Sequence, residues 1–250
     1  MTNQVAGAEA EEARRKGPYR VGGTAALLVV LVVLAEIAIT FLPGGSTPAE
    51  TVFDWFDLLQ TNPFMGLRNL GLLNIVMTLL GALAMFALYA AHRRANPAGA
   101  ALAVIVSYIG VAVFLATNRA FPMLDLSRQY AAATTDAQRT MIAAAGQAML
   151  SVGQSHTPGT FLGFFLAEVA GIAISVVMLR AGVFGKATAW AGILSFSFLL
   201  LFEVSASFVT GLSVVAMIFA VIGGLLNMAW YLLMARRFFQ LGQAGQGGAG

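Results

Sequence analysis

Of 250 residues, 59% are hydrophobic and only 10% charged, with a mean hydropathy of +0.82 and a formal net charge of +3. A soluble domain of this size needs roughly a quarter of its residues charged to cover its surface, so a water-soluble globule is excluded. The chain has no cysteine, which removes disulfides, thiolate metal sites and thiol redox chemistry. The basic pI near 9.6 comes from arginines and lysines at the ends of apolar runs, where they set topology rather than bind nucleic acid.

The apolar residues fall in runs of about twenty, the length that crosses a ~30 Å hydrocarbon core as a helix. These runs are continuous and do not alternate with period two, so a β-barrel is excluded. The pattern predicts an all-α polytopic membrane bundle of about six transmembrane helices.

Residues 1–20 are polar, end in Arg14, Arg15, Lys16 and Arg20, and read as a disordered cytoplasmic tail. The first span, 21–42, is too long for a signal peptide and lacks a small-residue cleavage site, so it is expected to be retained. Pro43-Gly44-Gly45 stops it, and Thr47-Pro48-Ala49-Glu50 has the form of a capping box with proline at the first helical position. The short helix that follows carries Val52, Phe53, Phe56 and Leu59, with Trp55 beside Asp54 and Asp57, a mixture suited to the outer interface. Asn62-Pro63 ends it.

The second span, 70–91, closes on His92, Arg93 and Arg94; Asn96-Pro97 turns the chain into the third, 99–121. Residues 122–158 form the largest polar region and predict a helical hairpin on the outer mouth of the bundle. Thr135-Asp136-Ala137-Gln138 is a second capping box, after which Met141, Ile142, Ala145, Met149 and Leu150 line one face, opposite Arg139 and Gln147. Spans 159–179, 187–209 and 212–235 complete a membrane domain over 21–240. Arg236 and Arg237 close the last span, and the glycine-rich 241–250 reads as a disordered tail. Basic residues crowd the tail, the 92–98 and 180–186 turns and the C-terminal end. The opposite side holds only Arg68, Arg119, Arg128 and Arg139, outnumbered by acids. The positive-inside rule then puts both termini in the cytoplasm of a bacterial inner membrane.

Three glutamates interrupt the spans: Glu36, Glu168 and Glu203. A charge at bilayer depth costs at least a few kcal/mol unless it is paired or hydrated, so each needs a partner. At ~1.5 Å per residue, Glu36 and Glu203 lie ~9 Å and Glu168 ~13 Å below the outer ends of their helices. Asn74, Asn118, Arg68 and Arg119 collect at the outer side, and Asn227 lies deeper. One reading gathers these residues around an outward-facing polar pocket that binds a small solute, cation or proton, with Arg68 or Arg119 as counter-ions. The other has them join the helices, each acid protonated or bonded to a neighbouring helix. Gly159, Gly163, Ala167 and Gly171 form a small-residue ridge at i, i+4 spacing, which favours close packing beside Glu168.

His92 and His156 fall on opposite sides of this topology, so a bis-histidine haem or zinc site is not expected. His156 could serve as a pH-sensitive latch over the pocket, or simply cap its loop. No nucleophile–base pair or metal set appears, and the chain reads as a non-enzyme without a cofactor.

Arg68, Asn118-Arg119-Ala120, Leu126-Ser127-Arg128-Gln129-Tyr130-Ala131-Ala132-Ala133-Thr134 and the Trp230-containing last span together resemble the domain-of-unknown-function 4386 family of bacterial six-span membrane proteins. The resemblance covers about 25–240 and implies the six-span fold, with no assigned substrate or site residue. Two functions stay open: transport of a small solute, cation or proton, and a non-transporting sensor, stress-response or assembly scaffold. The first and fourth spans run oppositely and each carries a Leu-Ala-Glu segment, as an inverted repeat would. The absence of proline inside the predicted spans counts against a carrier.

Overall fold

The computed structural model describes residues 2–42 and 49–243, with the backbone alone for 2–15. Among the described residues the chain forms ten helices and no strand. Six segments are long and apolar enough to cross a membrane: Lys16–Thr40, Leu72–His92, Pro97–Ala132, Phe161–Ala181, Lys186–Phe208 and Ser213–Gln243. Large apolar side chains such as Leu102, Val214 and Leu225 stand exposed along them, a surface that only lipid can cover. The chain is a multi-pass helical membrane protein.

The long helices are α1 (Thr2–Thr40), α4 (Leu72–His92), α5 (Pro97–Thr117), α8 (Phe161–Ala181), α9 (Lys186–Phe208) and α10 (Ser213–Gln243). They alternate in direction and close into a ring in chain order. Each packs on the next, and α10 returns onto α1. The ring's core centres on Leu88, Ile174, Met178, Trp230, Met234 and Phe238. Asn96 shapes the α4–α5 turn: its side chain accepts from Gly99 N (3.1 Å), and Pro97 follows at the first helical position.

The first helix begins at Thr2, so the segment read as a disordered tail is helical instead. A packing surface explains its lower part, because α10 continues past the apolar stretch and Tyr19 stacks on Phe238 at 6.3 Å. The C-terminal tail expected beyond α10 falls on 244–250, outside the described residues.

At one end of the ring, α2 (Val52–Thr61), α3 (Pro63–Asn69), α6 (Ala120–Ala132) and α7 (Asp136–Gly153) pack on one another as a cap. The cap has its own core, including Val52, Trp55, Phe56, Leu59, Met123 and Leu150. The first capping box is corrected. Thr47 and Pro48 lie outside the described residues, Ala49 and Glu50 are not helical, and the true cap is Thr51 with Asp54. The Thr51 N–H (2.8 Å) and hydroxyl (2.8 Å) donate to the Asp54 carboxylate, which holds Asp54 below the usual carboxylate pKa. The Thr135–Gln138 box forms as expected.

Asn62-Pro63 ends α2 and also starts the unforeseen α3, with the Asn62 side chain accepting from Met65 N (3.2 Å). The face assigned to α7 is partly corrected: Met141 is 70% exposed. The buried stripe is Ala143, Gly146, Leu150 and Gly153, because a Cβ on Gly146 would come within 2.7 Å of Phe56 and Val52. Glycine is what lets α2 lie this close.

Candidate functional site

The three intramembrane glutamates do not share a pocket. Glu36 lies less than one turn past Val33 on α1, and Glu203 one turn past Leu199 on α9. Both Val33 and Leu199 line a central cavity, so the two acids follow an inward stripe but sit a step nearer the cap. There, cap residues and the loop before α8 take them up.

Glu36 pairs with Arg68 at 2.6 Å. The Arg68 guanidinium also donates to the Glu36 carbonyl (3.1 Å), the Thr40 hydroxyl and Asn69 Oδ1 (3.0 Å), which ties α3 to the end of α1. Arg68 is buried although it comes from a short cap helix. The guanidinium's planar fork of five donors suits this spread of acceptors better than the three donors of a lysine ammonium.

Glu203 is 2% exposed, and its Oε2 accepts from His156 Nδ1 at 2.7 Å. Its Oε1 accepts from the Ser207 hydroxyl at 3.3 Å. The His156 ring packs on Phe164 and Phe202, each centroid 4.7 Å away. His156 has φ +57, the left-handed region that side chains rarely enter, so packing and the glutamate bond hold it there. Because Phe164 also lines the cavity, the His156–Glu203 pair sits directly behind one wall.

Glu168 alone of the three faces the cavity, about 10 Å from the cap end of α8 by helical rise. The cavity has a volume of about 200 Å³, is partly open, and is lined by all six long helices. Its polar groups are Asn74 and Thr78 of α4, Ser107 of α5, Glu168 of α8, and Asn227 and Tyr231 of α10. Glu168 Oε2 is buried with no hydrogen-bond partner among the described residues. The Asn227 amide donates to Ser195 Oγ (3.1 Å), which donates on to the Gly223 carbonyl (3.0 Å), so Asn227 is anchored at the edge of the space. Room comes from small residues: Gly81, Gly110, Gly163 and Gly171 all border the cavity.

Asn118 and Arg119 are not part of it. Asn118 donates to the Leu70 carbonyl (3.0 Å) and accepts from Ala120 N (3.0 Å), stapling the α5–α6 junction to the α3–α4 junction. Arg119 donates to the Ala116 carbonyl (2.7 Å), and its stem packs at Gly153 of α7. The small-residue ridge on α8 serves three neighbours: Gly159 meets α7, Gly163 meets Phe114 of α5, and Gly171 meets Phe196 of α9. His92 stands at the opposite end from His156, its Nδ1 donating to the Leu88 carbonyl (2.8 Å). Among the described residues no group of three or more His, Cys, Asp or Glu is placed to hold a metal ion.

Sequence reasoning overlooked Thr78, Ser107, Trp230 and Tyr231 as lining residues. A signal was present: Thr78 and Tyr231 each stand four residues after an asparagine, so Asn74/Thr78 and Asn227/Tyr231 make polar stripes on two helices. Compared with protein-family models, curated proteins and solved structures, the chain matches none of them.

Proposed function

We propose that the chain binds a small polar or cationic solute in the cavity within its helix ring. We further propose that it carries this solute across a bacterial inner membrane, with the cap facing away from the cytoplasm. Glu168 carries this reading. Its carboxyl is set among apolar helices, one oxygen has no hydrogen-bond partner among the described residues, and a cavity with two amides and a phenol lies beside it. Leaving such a group unpaired at membrane depth is costly, and a solute cation or proton supplies the missing partner. Glu36 Oε2 also lacks a hydrogen-bond partner among the described residues, but Glu36 is paired with Arg68 and Glu203 with His156, and neither lines the cavity, so they fit structural duty.

The size of the space narrows the solute. About 200 Å³ holds six or seven waters at ~30 Å³ each. Drug-sized ligands need ~300 Å³ or more. The orientation draws on charge: Arg93, Arg94, Arg180, Lys186, Arg236 and Arg237 lie at the end of the ring opposite the cap.

Proteoliposomes test the reading. Currents on supported membranes report Na⁺, K⁺, ammonium and methylammonium, and swelling reports urea and glycerol. Glu168→Gln is expected to cut the flux of the active probe at least ten-fold, while Glu36→Gln leaves flux within about two-fold. Flux indifferent to Glu168→Gln, or no flux for any probe, rejects transport through this cavity. The second reading, a non-transporting sensor or scaffold, draws on the cap, whose separate core makes it a module outside the ring. It predicts the flux-free outcome.

A further inference from the structure

The cavity wall has a composition that selects among solutes. Besides Glu168, five of its side chains are aromatic: Phe114, Phe164, Phe196, Trp230 and Tyr231, drawn from four helices. Among the described residues no lysine, arginine or histidine lines it. An anion would meet an acid without a compensating positive charge, which rules against anionic solutes. A small inorganic cation is held by a close oxygen shell, whereas the oxygen-bearing side chains here, Asn74, Thr78, Ser107, Glu168, Asn227 and Tyr231, come from four helices around a space lined largely by rings and aliphatic chains.

Aromatic faces carry negative charge and attract cations whose surface is itself apolar. Neighbouring rings here stand at steep angles: Phe114–Phe164 at 62°, Phe196–Trp230 at 83° and Trp230–Tyr231 at 70°, with centroids 4.9–5.3 Å apart. Each pair is edge-to-face, so the rings are held in different planes around the space. Among the described residues Trp230 Nε1 is buried without a hydrogen-bond partner, so that indole is placed by packing.

We infer that the cavity takes a small organic monocation, an alkylated ammonium, with Glu168 as its counter-charge and the aromatic rings around its alkyl groups. This rests on the proposed reading of the cavity as a binding site and specifies the solute class. The alkyl groups gain by leaving water for Val29, Met77 and Met85, while the charge is met by the carboxylate and the ring faces. A bare alkali ion would gain none of the first term and would leave most of the space to water.

The test uses full-length protein in lipid nanodiscs and calorimetric titration at constant ionic strength. The probes are tetramethylammonium, sodium and potassium chlorides, with neopentyl alcohol as the neutral mimic. Tetramethylammonium is expected to bind at least ten-fold more tightly than either metal cation or the alcohol. Glu168→Gln should weaken it at least ten-fold and Tyr231→Leu at least three-fold, whereas Tyr231→Phe, which keeps the ring, should weaken it less than Tyr231→Leu. Phe164→Leu replaces Tyr231→Leu if that variant elutes as aggregate. Sodium or potassium binding equally well through Glu168 overturns the organic class and leaves the site standing. Equal binding of the alcohol overturns the cationic character. Absence of any Glu168-dependent binding removes both the inference and the site.

Discussion

Removing the imidazole of His156 would leave Glu203, 2% exposed, with the Ser207 hydroxyl as its remaining partner. A buried acid that loses its hydrogen-bonding partner costs about 1–3 kcal/mol. The half-exposed histidine contributes little by its own burial, so nearly all of that loss belongs to the stranded acid. His156→Ala is therefore expected to lower the thermal midpoint in detergent, and Glu203→Gln to lower it less. The double variant should lose clearly less than the sum, since the acid is no longer stranded. Strictly additive losses would show that the pair is not coupled. Glu36 and Glu203 were recognisable in the sequence as acids needing partners. Arg68 was among the counter-ions expected for them, but which acid each partner meets was not readable, because Arg68 is thirty-two positions from Glu36 and His156 forty-seven from Glu203.

The crossing of α5 and α8 is set by glycine. A Cβ on Gly163 would stand 3.0–3.2 Å from the Phe114 backbone and Cβ, and one on Gly110 would stand 3.2 Å from the Gly163 carbonyl. Both residues border the cavity, so this contact governs stability and the width of the site together. Gly163→Ala forces the helices apart and is expected to cost about 1–3 kcal/mol. Gly224→Ala, where a Cβ meets nothing within 4 Å, should be neutral or stabilising by up to ~1 kcal/mol. Thermal unfolding of the two variants side by side decides the matter; equal midpoints would mean the crossing is not tight. The ridge of small residues was readable from spacing alone. Its division among α7, α5 and α9 was not, since periodicity gives a face but not the neighbour that covers it.

As a whole, the molecule is a ring of spans with a cap on one end, and its lack of native cysteine makes its orientation directly measurable. Thr134 lies in the exposed α6–α7 turn of the cap, and Gly185 lies in the α8–α9 turn at the other end. A membrane-impermeant maleimide added to intact bacterial cells is expected to label Thr134→Cys. Gly185→Cys should react only after permeabilisation. The reverse pattern would invert the proposed orientation.

The number, length and approximate limits of the spans follow from the sequence by itself, because a bilayer imposes its thickness on each helix separately. Local composition is enough for such a constraint. The α2 and α7 helices were likewise legible from amphipathic spacing and caps, although one cap was read four residues early. The tertiary structure alone decided which acids are neutralised. Glu36 and Glu203 stand one step above the cavity where a cap arginine and a loop histidine meet them, while Glu168 stands beside it. A single turn of helix separates these fates. Closure of the ring also brings Tyr231, Ser107 and Thr78 from three separate stretches of chain to one space, and only the packed helices set that distance.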